Sequence, residues 1–233
     1  MFEVAFRADV GERGKLFIDE QRMRRLTQLQ PAVICITREG TEGRRAIETL
    51  IERTYAQSYG SKITGHYPAL MSVHDAAGAV LAAVGFRAAG PKPLYLEQYL
   101  AKPVEACLGE GVDRTKVVEI GNLASAGKGA SLYLFVALAA FLHRQGFTHA
   151  VATATEKLQK TFAFLGFDIV TLAAADSQAL ADRGASWGSY YTHNPRVVAS
   201  AISPSCVRLE RYLPREHNAD LASILFLDES PIQ

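Results

Sequence analysis

Apolar residues recur at helical spacing from Arg44 to Tyr59, at Ala46, Ile47, Leu50, Ile51, Tyr55 and Tyr59, and Gly60 follows as a stop. The spacing predicts an amphipathic helix. Just before it, Ala32 to Thr37 is a short apolar run that reads as a buried strand. Leu70 to His74 and Val80 to Ala88 flank Asp75-Ala-Ala-Gly78, whose aspartate and glycine supply turn chemistry, so this segment predicts an antiparallel hairpin. Pro91 and Pro93 then break the pattern. Leu94 to Leu100 reads as extended or irregular and Pro103 to Leu108 as a helical turn, an insertion that must cover something. Lys116 to Ala124 reads as a strand, Ser125 to Gly129 as a loop of small residues, and Ala130 to Arg144 as a strongly apolar helix stopped by Gly146. A strand over Thr148 to Thr153, a helix over Lys157 to Leu165, and strands over Phe167 to Leu172 and Arg196 to Ile202 complete the series. Strand, helix, strand, helix, strand in that order implies a parallel pair within a mixed sheet.

Residues 1–31 are charge-rich and weakly patterned, with Arg22, Arg24 and Arg25 close together, and read as an N-terminal appendage. Residues 32–202 read as one domain. Residues 203–233 read as a C-terminal extension packed on it, with a helix over Ala219 to Phe226. Composition adds exclusions: 233 residues with 48% apolar, 21% charged and a net charge of +1 disfavour disorder, a coiled coil or a nucleic-acid surface. Cys35, Cys107 and Cys206 form no CxxC pair and the histidines no HExxH, so no metal site is expected. Charges interrupt the first residues before an apolar region can develop, which argues against a secretory signal and gives the cytoplasm as the expected location. The longest uncharged apolar run, Leu132 to Leu142, is far short of the roughly 20 residues of a spanning helix, so no transmembrane segment is expected.

The segment from Glu119 to Ser131 concentrates the candidate chemistry, because it joins a strand to a helix through Gly127 and Gly129. Such a corner presents backbone N–H groups at a helix N-terminus and attracts phosphate, although a tight turn packed with small residues has the same spacing. A Walker loop fails twice: Gly121 lies one residue too early relative to Gly127-Lys128, and Gly129 replaces the hydroxyl residue that holds magnesium. A dinucleotide fingerprint lacks its third glycine, where Leu132 stands. Strict alternation puts Glu119 with Gly121 and Leu123 on one strand face and Ile120, Asn122 and Ala124 on the other. A carboxylate in an otherwise apolar strand is either a general base or a structural group paired with an arginine of the insertion. Glu97, between Tyr95 and Tyr99, is the second candidate base, and Tyr133, Tyr190 and Tyr191 are candidate phenolic acids. Gly184-Ala-Ser186-Trp-Gly188 matches the GxSxG elbow of esterases, but neither a strand before it nor a helix after it is in prospect.

Tyr55-Ala-x-x-Tyr-Gly60, Pro68-Ala-Leu-Met71, Leu96-Glu-Gln-Tyr-Leu100, Glu119-Ile-Gly-Asn-Leu-Ala-Ser125, Thr153-Ala-Thr155, Leu165-Gly-Phe167 and Trp187-Gly-x-Tyr-Tyr191 resemble the thermostable hemolysin family. The order of elements over residues 32–202 resembles the GNAT superfamily of N-acetyltransferases, and the segments around Glu97 and Glu119 resemble acyl-homoserine-lactone synthases. The resemblance implies an α/β (α+β) fold: a mixed, mostly antiparallel sheet with a splayed central parallel strand pair, flanked by helices. It implies transfer of an acyl group to a small-molecule amine from a pantetheine thioester, either coenzyme A (acyl-CoA) or the phosphopantetheine of acyl carrier protein. The donor would lie along Asn122, Leu123, Ala124 and Ser125 and pass its phosphates to Gly127, Lys128, Gly129 and Ala130. Ala124 stands where GNAT loops usually carry glutamine or arginine, so one gripping side chain is missing. The readings from other classes are a membrane-active haemolysin without catalysis and a GNAT-like binding module that has lost activity.

Overall fold

A computed structural model describes residues 2–8, 11–18, 21, 23, 25, 27, 29–127, 129–209 and 224–226. Among these residues the strands are β1 (Phe2–Ala8), β2 (Gly11–Ile18), β3 (Val33–Arg38), β4 (Ala69–His74), β5 (Val80–Ala88), β6 (Val117–Ser125), β7 (His149–Ala154), β8 (Val170–Ala174), β9 (Arg196–Ala201) and β10 (Ile224–Phe226). The α-helices are α1 (Arg44–Tyr59), α2 (Val104–Leu108), α3 (Ala130–Arg144), α4 (Glu156–Leu165) and α5 (Ile202–Leu209), with a 3-10 turn at Tyr95–Tyr99. All ten strands form one sheet in the order β10-β2-β1-β3-β4-β5-β6-β7-β9-β8. Only β1 with β3 and β6 with β7 are parallel. The fold is thus the mixed, mostly antiparallel α/β sheet that the element order implied.

Helices cover both faces. On one face α3 is buried along most of its length, because the sheet lies beneath it while Leu158 and Phe162 of α4 and Ile202, Cys206 and Leu209 of α5 pack around it. A helix enclosed in this way must be apolar all round, which is why it carries no charged residue until Arg144. On the other face Ile47, Leu50 and Ile51 of α1 pack on Leu70, Ala83 and Ala124, and further along the sheet Leu94, Leu96 and Val104 cover Val117, Val151, Val197 and Ala199. The insertion therefore roofs the face opposite α3.

Several expectations are corrected. The first thirty residues hold two strands, and Val4 and Phe6 of β1 are fully buried against the main core. β9, whose place in the sheet no local pattern predicts, inserts between β7 and β8, antiparallel to both. The predicted strand over 167–172 starts later, at Val170, because Gly166 ends α4 in the left-handed region and Phe167 is drawn into the core beside Phe135 and Phe162. Residues 202–209 are helical, and Ile224–Phe226 pair with β2 as a strand rather than ending a helix; residues 219–223 lie outside the described residues. No described helix is long and apolar enough to cross a membrane.

Candidate active site

The parallel pair opens. Pairing of β6 with β7 runs from Val117↔His149 to Ile120↔Ala152 and stops, although β6 continues to Ser125. The cause lies on the other edge of β6, where Ala83↔Ala124 is followed by Gly85↔Gly121, so two residues of β6 face one of β5. That is a β-bulge at Asn122 and Leu123, and Asn122 takes the left-handed conformation it needs, with φ 50°. Bulges bend a strand, and this one turns β6 away from β7 and leaves the β7-facing edge from Gly121 onward without a ladder partner. The splayed pair is present.

The bulge also corrects the expected faces. Ala124, not Leu123, shares the α1 face with the residues below it, while Leu123 joins Val118 and Ile120 in the α3 core. Asn122 is buried and its Oδ1 accepts the backbone N–H of Tyr67 at 3.2 Å.

Glu119 lies one turn of strand before the fork, with 1% of its surface exposed. Its Oε2 accepts from Arg87 Nε at 2.7 Å and from the Tyr95 N–H at 3.0 Å, and its Oε1 from the Leu96 N–H at 2.8 Å. Thus two N–H groups at the start of a 3-10 turn, which have no partner within the turn, find one carboxylate. The arginine comes from the neighbouring strand β5, directly opposite in the register, not from the insertion.

Glu97 anchors the insertion. Arg114 holds it with Nη1 at 2.7 Å and Nη2 at 2.8 Å, a two-pronged pair, and the N–H groups of Leu94 and Val104 donate to it at 2.6 and 2.8 Å. Arg114, helped by these backbone bonds, holds the Glu97 carboxyl down to about 2. A depressed carboxylate stabilises the fold fully above its usual value of 4.5, and that contribution is lost as pH falls through about 2. Acid titration of Glu97→Gln should therefore show a flatter stability curve below pH 4.5 than the parent; superimposable slopes would remove the ion pair as a clamp on the insertion.

The remaining candidates are spread out. Tyr133 donates to Leu29 O and Tyr190 to Thr153 O, and the hydroxyls of Tyr191 and Tyr99 meet at 2.7 Å. Burial pushes the Tyr191 phenol up to about 12. Trp187, Tyr190 and Tyr191 pack with Tyr55, Tyr59 and Tyr95 into one aromatic cluster that ties the 184–193 loop to the end of α1 and to the insertion. Ser186 sits in a 3-10 turn of three residues with its Oγ on Asp182, which is not the strand-to-helix elbow of an esterase. Ser125, Gly127, Gly129 and Ala130 do form the corner from β6 into α3, with Gly127 and Gly129 at positive φ. Lys128 lies outside the described residues.

Two features of the site have no counterpart in the sequence reading. The first is Tyr67, whose ring lies across β5 and β6 above Gly85 and Gly121, a register pair. A Cβ on Gly85 would fall 2.7 Å from Tyr67 Cβ, and one on Gly121 would fall 2.6 Å from its hydroxyl oxygen. Any side chain at either position would occupy the place of the ring. The signal was two glycines inside strands, which mark a close approach. The second is a cavity of about 90 Å³ on the α3 face, lined by Ile120 and Ala152 at the fork, Phe135 and Leu138 of α3, Phe162 of α4 and Val198 of β9. The insertion does not contribute to this cavity, because it lies on the opposite face of the sheet. Ser200 and Ser205, at the cavity wall, bond to each other at 3.0 Å, and Ser205 also donates to Ala201 O. Among the described residues no group of three or more His, Cys, Asp or Glu side chains could hold a metal ion.

A mixed sheet whose central parallel strands part at a bulge, with a small-residue corner leading into a buried helix, is the GNAT-like arrangement that the order of elements implied. The sequence model of the thermostable hemolysin family matches residues 37–206, and the chain belongs to that family. Solved structures share the fold at low identity. The AHL synthase LasI superposes with a TM-score of 0.53 at 14% identity, over 78% of this chain and 95% of its own. TofI in an apo form does so with 0.53 at 13%, over 81% and 99%. FeeM, an N-acyl amino acid synthase from uncultured soil microbes, gives 0.51 at 17%, over 74% and 98%. None of the curated proteins matches this sequence.

Proposed function

We propose that the protein is an acyltransferase that moves an acyl group from a pantetheine thioester, carried by coenzyme A or acyl carrier protein, to an amine of a small molecule. The observation that carries this reading is the fork: β6 leaves β7 after Ile120 and Ala152, directly above an apolar cavity. A pantetheine arm needs backbone partners for its amides, and the free edge of β6 along Asn122, Leu123, Ala124 and Ser125 has them to offer. The corner at Gly127, Gly129 and Ala130, with Lys128, would meet the phosphates at the N-terminus of α3. FeeM is an N-acyl amino acid synthase and LasI an AHL synthase, chemistry of the same kind on the same fold.

Within this reading the acyl chain enters the cavity beneath the fork and the amine approaches from the opposite face of the sheet, where Glu119, Arg87 and Tyr67 meet. Glu119 serves as the fixed anion of that face: it orients Arg87 and the turn at Tyr95–Leu96, and its charge acts on the groups above it. Glu97 serves the insertion through Arg114.

Thermal melts with coenzyme A, acetyl-CoA, a long-chain acyl-CoA and acyl carrier protein bearing the same chain test the donor class. A ligand of the folded state raises the melting temperature according to RT ln(1+[L]/Kd), about 2.7 kcal/mol at a hundredfold excess over Kd. A rise with any thioester is the expected result. No rise with any of them, joined to dye release from lipid vesicles by the same protein, would replace this reading with the membrane-active one.

A further inference from the structure

We propose that Arg44 is a positioning residue of the fork, which acts through Tyr67 to hold Asn122 in the bulge that turns β6 away from β7; this rests on the acyl-transfer reading above, in which the donor pairs with that turned edge. Arg44 is the first residue of α1 and is 5% exposed. A cation is the wrong charge for a helix N-terminus, and taking it out of water adds to the cost. Glu48, one turn on, meets Arg44 Nε at 2.8 Å, but an exposed pair at the same spacing would need no burial. The carbonyls account for the burial. Nη2 donates to Tyr67 O at 2.7 Å, and Nη1 donates to Pro68 O at 3.0 Å and to Thr37 O at 3.3 Å. One planar guanidinium thus ties the start of α1 to the end of β3 and to the entry into β4.

Tyr67 passes that hold to β6. Its C=O is on Arg44 and its N–H donates to Asn122 Oδ1 at 3.2 Å, so the two backbone groups of one residue join the buried cation to the bulge. The link is stiff. Pro68 confines the residue before it to extended backbone, and the Tyr67 ring lies on Gly85 and Gly121 with its hydroxyl against the Glu119 carboxylate. The Arg87 guanidinium, 5.9 Å from the ring centroid, adds a further contact. A residue fixed at its ring and at both backbone groups can transmit a position from α1 to the fork.

The bulge needs such a brace. Asn122 tolerates its left-handed backbone, with φ 50°, but does not require it. Beyond Ile120↔Ala152 no described strand supports β6 on the β7 side, so the ladder to β5 and the bond to Tyr67 are what hold the turned segment. An edge that is already turned out binds a pantetheine arm more tightly than one that must turn when the arm arrives, because its ordering has been completed beforehand.

Two variants cut the link at its ends. Arg44→Met keeps a buried stem and removes every donor, while Glu48 retains Arg45; Asn122→Gly keeps the left-handed backbone without strain and removes only the acceptor. Hydrogen exchange in the protein without ligand reads the brace itself. The amides of residues 123–125 should exchange about 10-fold faster in both variants, and those of residues 118–120, which have strands on both sides, at the parent's rate. A uniform rise along β6 would make both residues merely structural, and an unchanged rate at 123–125 would overturn the brace. Were Arg44→Met not to fold, Asn122→Gly alone would decide between these results. Calorimetric titration with coenzyme A then reads what the brace does for the donor. The dissociation constant should rise about 10-fold in each single variant and by about the same factor, not about 100-fold, in the double variant, because two residues joined only through Tyr67 act as one unit. Losses that multiply would make the two independent and overturn the link. A parent protein that binds no coenzyme A takes away the donor reading and leaves the exchange result standing, whereas a parent that binds it, with variants that match it in exchange and affinity, overturns the role of Arg44 alone.

Discussion

Glu119→Ala is expected to lower stability by about 2–4 kcal/mol, because it removes the buried acceptor shared by three donors. The buried N–H of Leu96 would be left unpaired, at roughly 1–3 kcal/mol, while the partly exposed Arg87 Nε and Tyr95 N–H would lose a charge-assisted partner and turn to water. A loss of that size is a large part of the ordinary reserve of about 5–15 kcal/mol. For a chain of this length it corresponds to a fall of about 10 °C in melting temperature. Glu119→Gln keeps one carboxyl-like oxygen and should cost less, about 1–2 kcal/mol, while still lowering turnover because the charge that fixes Arg87 is gone. Melting curves of the two variants, with thiol release by the glutamine form, check both statements. An alanine variant that melts within a degree of the parent would show that the carboxylate does not hold the insertion to β6.

The pairing of a strand carboxylate with a turn that lies far away in sequence explains what could and could not be read beforehand. Helices were legible wherever a face had to be buried: Ile47, Leu50 and Ile51 lie under α1 as their spacing requires, and α3 is apolar because it is enclosed. The hairpin at 69–88 was legible because its turn is local, with Asp75 Oδ1 accepting the N–H groups of Ala77 and Ala79 and Gly78 at positive φ. β1 was missed although Val4 and Phe6 alternate with Ala5 and Arg7, since the surrounding charges masked a period of two. The position of β9 between β7 and β8 was not legible at all. Strand order depends on contacts between residues remote in sequence, and no local pattern encodes it.

The site divides in the same manner. Glu119 and the corner at Gly127 and Gly129 were visible because an acidic residue in a strand and glycines before a helix are local anomalies. The bulge was not visible, since one extra residue shifts the alternation without changing composition, and Asn122 tolerates a left-handed backbone with no outward sign. Tyr67 was hidden for a different reason. It falls between the predicted helix and hairpin, in no predicted element, and its meaning appears only when Gly85 and Gly121 come to lie side by side beneath it.

The cavity beneath the fork sets the largest expected effect on donor binding. Apolar cavities of about 150 Å³ accept benzene with its six carbons, so about 90 Å³ should take about three or four carbons of an acyl chain. Each buried methylene contributes about 0.8 kcal/mol, close to fourfold in affinity, so binding should tighten by about 60-fold or more between acetyl and a chain three methylenes longer. It should then level off or weaken once that volume is filled, because Phe162 and Phe167 pack edge to face on Phe135 in the cavity wall and would have to move. The hydroxyls at the wall are satisfied by each other and by Ala201 O, so the cavity offers no group to reward an oxygen on the chain. Phe162→Ala should move the plateau to longer chains by several carbons, whereas Ala152→Leu, placed at the fork itself, should erase the preference for anything beyond acetyl. Calorimetric titration with acyl-CoAs of rising length reads these slopes directly. Coenzyme A binding with no dependence on chain length would leave the fork as the donor site and take the acyl chain out of the cavity.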